Sequence, residues 1–211
     1  MEIYSFDRLQ STQKYLIDEL KSGRLSTPVA ITADIQDSGV GSRDNSWVGD
    51  SGDLFLSFAI DIDMLPKDLS LGSASIYFSY IMKLSIIDID ERVWIKWPND
   101  IYIEDGKIGG VITQKVDNSL ICGIGLNLVL SKKGFKSLDS DISAKEIIRK
   151  YLQKVEKFPT WKQIFSEYQI EFELSRVFST HLKNNKISLE DAHLCEDGSL
   201  KIEGKRVYSL R

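Results

Sequence analysis

Between Lys96 and Gly110 the chain places two lysines, an asparagine, an aspartate and a glycine pair in the run Lys96-Trp97-Pro98-Asn99-Asp100 followed by Lys107-Ile108-Gly109-Gly110. The surrounding residues are apolar and strand-like. Ammonium, carboxamide and carboxylate groups lodged among strands cost free energy unless they are paired or used. Their density points to a site for an anionic ligand. Pro98 ends a strand because it has no N–H to donate, and Trp97-Pro98-Asn99-Asp100 is a rigid way to aim a carboxylate. Lys107 shortly precedes a Gly-Gly pair, where bare backbone admits a flat ligand beside an ammonium. The bland alternative is that Lys96 points to solvent from an edge strand and that Asn99 and Asp100 only form a turn.

Three further groups carry the same ambiguity. Gly39-Val40-Gly41-Ser42-Arg43-Asp44-Asn45-Ser46-Trp47 is a glycine-bearing loop. Its amides and the Arg43 guanidinium suit a phosphate or carboxylate, but it lacks the spacing and the following helix of a Rossmann or P-loop fingerprint. Gly123-Ile124-Gly125-Leu126-Asn127 places two glycines on one face of a strand, suited to a ligand lying on the sheet or to close helix packing. Ser11-Thr12-Gln13 is a helix cap by default and a ligand-binding hydroxyl pair by context.

The elements that must position these residues follow from periodicity. Ile3 to Phe6 is a short strand. Ser11 or Thr12 caps a helix through Tyr15, Leu16, Ile17 and Leu20 that ends at Gly23. Pro28 to Ile35 and Leu54 to Ile62 read as strands, with a polar loop from Gln36 to Asp53 between them. Ser70 to Ile87 reads as a buried helix, with small residues at its start. Arg92–Trp97, Ile101–Ile103, Lys107–Val116 and Ser119–Leu130 read as successive strands, antiparallel from Ile101 on, with turns at Glu104-Asp105-Gly106 and Asp117-Asn118. Helices follow at Ser143–Val155 and Thr160–Phe178, and short strands from Lys186 to Arg211. The expected class is α/β (α+β), with a central mixed, largely antiparallel sheet and helices on one side. Consecutive strands without helical crossovers exclude a doubly wound parallel sheet. Residues 1–180 form the main domain and 181–211 a β-rich appendage too short to hold a core alone.

Composition narrows the function. The 211 residues are 42% hydrophobic and 27% charged with a net charge of −4, ordinary for a globular protein and unlike a phosphate-backbone binder. Cys122 and Cys195 are far apart and in no metal-like spacing, and Cys122 reads as a small buried hydrophobe. His181 and His193 lie in polar sequence without a Ser or Cys nucleophile motif. No signal-peptide core and no apolar run of ~20 residues appears, so a cytoplasmic protein with no membrane and no DNA partner is expected.

Taken together and in this order, the four groups resemble the catalytic domain of biotin protein ligases over roughly residues 1–180. The most specific part is Lys96-Trp97-Pro98-Asn99-Asp100 with Lys107 and Gly110. The tail is similar to a shortened SH3-like cap, and no helix-turn-helix of the repressor type precedes Ser11. The resemblance implies a class II synthetase-like sheet. It also implies that biotin and ATP, with Mg²⁺, form biotinyl-5′-adenylate, from which biotin passes to a lysine of a biotin carboxyl carrier protein of acetyl-CoA carboxylase or another biotin-dependent carboxylase. The enzyme is expected as a monomer or weak homodimer.

The resemblance also assigns residues. Lys107 bridges the biotin carboxylate and the α-phosphate, where positive charge must be preplaced. Ser11, Thr12 and Gln36 meet the ring of biotin; Gly39, Val40, Gly110, Ile112, Gly123 and Gly125 line its pocket. Arg43, Trp47, Asn99, Lys107 and Asn127 face ATP or the adenylate, and Arg43 counts with Lys107 and Asp100 as catalytic. Asp100 meets the acceptor lysine. A free aspartate at about 3.9 is a poor base for an ammonium at about 10.4, so Asp100 is read mainly as orienting and desolvating that amine. One departure stands out. The family's usual Gly-Arg-Gly loop has Val40 and Ser42 here, with Arg43 as its only arginine and Asp44 in place of a glycine. Fewer cations near the phosphate predict looser retention of the adenylate. Lipoate–protein ligase and a non-catalytic biotin- or nucleotide-binding sensor are the rival readings.

Overall fold

The computed structural model describes residues 1–41, 46–47, 49–130, 135–182 and 185–208. The chain opens with β1 (Glu2–Leu9), α1 (Thr12–Lys21) and β2 (Val29–Gln36). Ser11 caps α1 by accepting the Lys14 N–H at 3.3 Å, and Gly23 leaves it at φ +71°. Because α1 carries the chain back to the starting end, β1 and β2 run parallel. A short hairpin of β3 (Gly39–Val40) and β4 (Ser46–Trp47) follows, then β5 (Leu54–Asp61) and α2 (Ala74–Ile86). The hairpin falls where the sequence predicted only a polar loop.

Next come β6 (Val93–Lys96), β7 (Asp100–Ile103), β8 (Gly106–Val116) and β9 (Ser119–Leu126), then α3 (Ala144–Val155) and α4 (Trp161–Glu171). Tight turns at Glu104 (φ 53°) and Asp117 (φ 50°) join β7 to β8 and β8 to β9. The seven-stranded sheet has the order β1-β2-β5-β9-β8-β7-β6 and is antiparallel except for β1–β2.

Helices cover both faces, which corrects the expectation of one. Alternate residues of the central strands divide accordingly. Ala30, Leu56, Phe58, Leu120, Cys122 and Ile124 pack toward α2, α3 and α4. Val29, Ile31, Ala59 and Ile121 pack toward Leu16 of α1. Strand order is indifferent to which face a crossover helix returns on. That is settled by the hand of the β1–α1–β2 connection.

Two other boundaries move for physical reasons. Strand β9 stops at Leu126 rather than Leu130 because the buried Asp53 carboxylate takes the Leu128 N–H at 2.8 Å and the Val129 N–H at 3.3 Å, peeling the chain from the sheet. Helix α4 stops at Glu171 and tightens into a 3₁₀ turn at Phe172–Ser175. This turn covers the outer edge of β6, where Glu171 Oε1 accepts the Ile95 N–H at 2.5 Å and Ser175 Oγ accepts the Trp97 N–H at 3.1 Å. An edge strand closed in this way offers no free ladder to another chain.

The tail supplies a two-stranded ribbon, β10 (Ser179–Leu182) with β11 (Asn185–Ser188), and a three-stranded sheet of β12 (His193–Leu194), β13 (Leu200–Ile202) and β14 (Lys205–Val207). Its Leu189, Ala192, Leu200, Ile202 and Val207 join the same core as α2–α4. The turn at residues 196–198 anchors it. Trp161 Nε1 donates to Glu196 O at 2.8 Å, Ser73 Oγ donates to Asp197 O, and Trp97 Nε1 donates to Gly198 O at 3.0 Å. Gly198 has φ +78°, and a Cβ there would lie 2.9 Å from Ser73 Oγ, so only glycine fits. Among the described residues no helix is long and apolar enough to cross a membrane.

Candidate active site

On the α1 face the helix covers only part of the sheet, and what it leaves open is a groove. The start of α1, the β3–β4 hairpin, β5, β8, β9 and Asn99 surround it. Of the residues singled out in the sequence, Ser11, Thr12, Gln36, Val40, Trp47, Asn99, Lys107, Gly110, Ile112, Gly123 and Gly125 line it. Gly39, in β3 of the hairpin opposite Trp47, is not among the lining residues; a Cβ there would sit 2.7 Å from Trp47 O and 3.0 Å from Gln36 Nε2. Arg43, Ser42 and Asp44 lie outside the described residues.

The buried end of the groove is a connected polar patch. Thr12 donates its backbone N–H to Gln36 Oε1 at 2.8 Å and places its Oγ1 3.0 Å from the same oxygen. The Thr12 and Ser57 hydroxyls are 2.8 Å apart. If Ser57 donates to Thr12 and Thr12 to Gln36, the chain is satisfied throughout and holds the Gln36 amide in one orientation.

The floor is Gly123 and Gly125, brought to the same face by the strand's alternation. A Cβ on Gly123 would meet Gln13 Oε1 at 2.7 Å, and one on Gly125 would meet the Trp47 indole at 2.4 Å, so both glycines admit a close approach that no other residue allows. Two side chains of the protein rest on this floor, Gln13 over Gly123 and Trp47 over Gly125. Gln13 Oε1 and Trp47 Nε1 are both buried without a hydrogen-bond partner. Orphaned buried polar atoms are costly, and two facing one groove mark a surface that a ligand completes.

The mouth is an alternating charge array. Asp100 Oδ1 lies 2.5 Å from Lys107 Nζ, and Oδ2 lies 3.4 Å from Lys96 Nζ. Lys107 is at the rim, with 39% of its side chain exposed and its ammonium 5.8 Å from the centre of the Trp47 ring. Lys96 is buried, its ammonium 5.7 Å from the centres of both the Tyr102 and Phe178 rings. It does not point to solvent, as one reading of the sequence had it. Burial and the neighbouring Asp100 push the Tyr102 phenol up to about 12. Asn99 is pinned by donating Nδ2–H to Val111 O at 2.6 Å and accepting the Val111 N–H on its own carbonyl at 3.0 Å. Two cations against one carboxylate leave the mouth positive, suited to an anion.

Asn127 stands apart from the groove. Its Nδ2 donates to Lys136 O at 3.0 Å and its carbonyl accepts the Leu138 N–H at 2.9 Å, so it tethers the segment after β9. Ser57 and Gln13 were under-read in the sequence. Ser57 is the one polar residue in the apolar run Leu54–Ile60 of β5, and Gln13 shares the helical face of Leu16 and Leu20. Both signals were legible as polar residues in buried stripes. Cys122 lies on the other face of β9, where burial pushes its thiol up and away from any nucleophilic role. Among the described residues no group of three or more His, Cys, Asp or Glu side chains could hold a metal ion.

Residues 5–129 match the family model described as the biotin/lipoate A/B protein ligase family. The chain is 28% identical to the bifunctional ligase/repressor BirA of Escherichia coli over 133 residues, covering 59% of this chain and 40% of that protein. It is 28% identical over 116 residues to the biotin--[acetyl-CoA-carboxylase] ligase of Paracoccus denitrificans, covering 49% of this chain and 46% of that protein. It therefore aligns with less than half the length of these curated relatives. Among solved structures, it is similar to the biotin acetyl coenzyme A carboxylase synthetase of Helicobacter pylori with bound biotinylated ATP. The TM-score there is 0.93 and the identity 40%, over 98% of this chain and 99% of that one. The biotin protein ligase of Aquifex aeolicus in complex with biotin and ATP shares the fold, with a TM-score of 0.78 at 21% identity over 98% and 94% of the two chains.

Proposed function

The chain belongs to the biotin/lipoate A/B protein ligase family, and from that premise we propose that it activates biotin with ATP and transfers it to a lysine of a biotin carboxyl carrier protein. The observation that carries this reading is the groove itself: a polar, half-satisfied buried end joined by a glycine floor to the Lys96–Asp100–Lys107 array. Biotin has a small polar ring, an apolar stem and a carboxylate, in that order. The ring suits the Thr12–Gln36–Ser57 patch, the stem suits Gly123, Gly125 and Ile112, and the carboxylate reaches Lys107.

In the first step a biotin carboxylate oxygen attacks the α-phosphorus of ATP and pyrophosphate leaves. The reactants are both anions, so a preplaced ammonium lowers the barrier, and Lys107 is the rim cation free to turn toward them. Mg²⁺ bound with ATP would supply charge neutralisation on the triphosphate. Asn99, fixed at the mouth, presents its amide toward the nucleotide side. Arg43, outside the described residues, is proposed to add a second cation there, with Arg43→Ala costing more in the first step than in the second.

In the second step the acceptor lysine attacks the acyl carbon of the mixed anhydride and AMP leaves. Asp100 is proposed to receive the incoming amine. Its carboxylate is shared by two ammoniums, which leaves little for a third. When Lys107 turns onto the adenylate it frees Asp100 Oδ1, so the acceptor site is completed only after activation. The outer side of β8 beyond Gly110, where β7 no longer pairs with it, is the proposed approach for an extended segment of the carrier.

The test is a reaction of the protein with Mg-ATP, a carrier domain, and either biotin or lipoate, read by intact-mass spectrometry. A biotin-sized gain on one carrier lysine is expected. A lipoyl-sized gain assigns the other branch of the family, and ligand binding without transfer assigns a sensor.

A further inference from the structure

Lys96 takes no part in either step, yet its ammonium stays buried against Asp100. Its side chain is 11% exposed, and among the described residues Asp100 is its one carboxylate partner, with Oδ2 at 3.4 Å. A single contact that long is thin compensation for a buried charge. Ring faces supply the rest. Lys96 Nζ lies over both Tyr102 and Phe178, 5.7 Å from each centre, within the range of cation–π attraction. Tyr102 belongs with Lys96 by strand pairing, since β6 and β7 set Lys96 opposite Asp100 and Trp94 opposite Tyr102. Phe178 comes from elsewhere. It follows the 3₁₀ turn after α4, where its N–H donates to Ser175 O at 3.0 Å and its carbonyl accepts the Leu189 N–H at 3.0 Å. Its ring packs against Trp94 at 5.5 Å and Tyr102 at 5.4 Å between centres. Trp94 in turn is pinned by donating Nε1–H to Glu104 O at 2.7 Å. Backbone and ring of Phe178 are thus both fixed.

We infer that Phe178 is a positioning residue for the transfer step: with Tyr102 it holds the Lys96 ammonium on Asp100 Oδ2, and through Lys96 it keeps the Asp100 carboxylate aimed once Lys107 has turned away. The inference rests on the reading of Asp100 as the group that receives the acceptor lysine. While Lys107 sits on Oδ1, the carboxylate is fixed at both oxygens. When Lys107 leaves, Lys96 is the cation that remains, and the carboxylate is only as well aimed as that one partner. A lysine reaches its partner on a flexible four-carbon stem, so its ammonium needs fixing by something else. A leucine at 178 fills much of the same space but has no negative face to offer a cation. Aim matters here, because a misplacement of about 1 Å among reacting groups can cost about 10²-fold in rate.

Single-turnover transfer from preformed biotinyl-adenylate to a carrier domain, quenched rapidly at varied carrier concentration, tests this on the full chain. Phe178→Leu is expected to lower the maximal transfer rate about 5- to 30-fold. The half-saturating carrier concentration should hold, and biotin-dependent pyrophosphate release should fall by less than transfer. Phe178→Tyr keeps the ring face and should recover most of the rate. On a Lys96→Met background, with no ammonium to hold, Phe178→Leu should cost nothing further, the signature of coupled residues. A maximal rate within about 2-fold of wild type in Phe178→Leu overturns the inference alone. So does an equal loss in both steps, a loss that falls on the half-saturating concentration, a Tyr variant as slow as the Leu variant, or an undiminished effect on the Lys96→Met background. Lys96→Met by itself, which leaves residue 178 untouched, should slow transfer more than pyrophosphate release, and the reverse order also overturns it. A wild-type protein that transfers no biotin overturns the proposed function, and this inference with it.

Discussion

The turn at residues 196–198 and the groove over Gly123 and Gly125 both take polar atoms out of water, and they treat them in opposite ways. At the turn three successive carbonyls each receive a donor, from Trp161, Ser73 and Trp97. In the groove Gln13 Oε1 and Trp47 Nε1 receive nothing. Trp97 and Trp47 make the contrast sharpest. The Trp97 indole is fully engaged and buried in the large core, one residue from Pro98 and two from Asn99. The Trp47 indole lies on Gly125 with its N–H unmatched. A buried polar atom left unpaired costs about 1–3 kcal/mol, so the turn stabilises the fold while the groove holds back stabilisation that a ligand can supply. The tail thus buttresses the segment carrying Asn99 and Asp100.

If that division is right, substitutions in the groove should change chemistry before stability, and substitutions at the turn the reverse. The largest effect is expected from Lys107→Ala. Biotin-dependent pyrophosphate release should fall about 10²- to 10³-fold, while the melting temperature barely changes, because an ion pair this exposed contributes at most about 1 kcal/mol. A large thermal shift would mean that the mouth is structural. Asp100→Asn comes next. Transfer from preformed biotinyl-adenylate should drop by about 10²-fold and adenylate formation by less; full transfer with lost adenylate synthesis, in rapid-quench kinetics, contradicts the role given to Asp100.

The tryptophans offer a smaller and more direct comparison. Trp97→Phe strands the Gly198 carbonyl and should cost about 1–2 kcal/mol, or about 3–6 °C in melting temperature for a chain this size. Trp47→Phe loses no bond and should stay within about 0.5 kcal/mol of wild type, while abolishing any ligand-induced change in tryptophan emission. Equal thermal shifts for the two would erase the distinction. The smallest effect concerns thiols. Under native conditions at pH 8, Cys195 should label readily and Cys122 should not, since burial holds its thiol protonated. Labelling of both would show that the large core opens.

Much of this was legible beforehand. The Lys96–Gly110 run, the glycine pair and the Ser11 cap declare themselves through residue types that are expensive or unusual in strands. The strands on either side follow from alternation. The hairpin at Gly39–Trp47 was missed because two-residue strands carry no periodicity. The end of β9 was misjudged because Asp53, remote in sequence, captures backbone N–H groups there, and the end of α4 because the chain from Glu171 to Ser175 turns to take the outer N–H groups of Ile95 and Trp97, remote in sequence. Lys96 was read as a supporting contact, and its pairing with Asp100 between two aromatic rings could be seen only once β6, β7 and the turn before β10 had come together.

By itself, then, the sequence determined which residues could hold an anion, which strands carry them, and the class of chemistry they suit, because these depend on local residue type and spacing. Only the tertiary structure decided the rest. Which face α1 covers, which acceptors remain unpaired beside Gly123, and why Asp100 is shared by two lysines all depend on distances between segments far apart in the chain. The tail's hold on Trp97 is of the same kind. Hydrogen-bond satisfaction is a property of the assembled interior, and no stretch of sequence carries it alone.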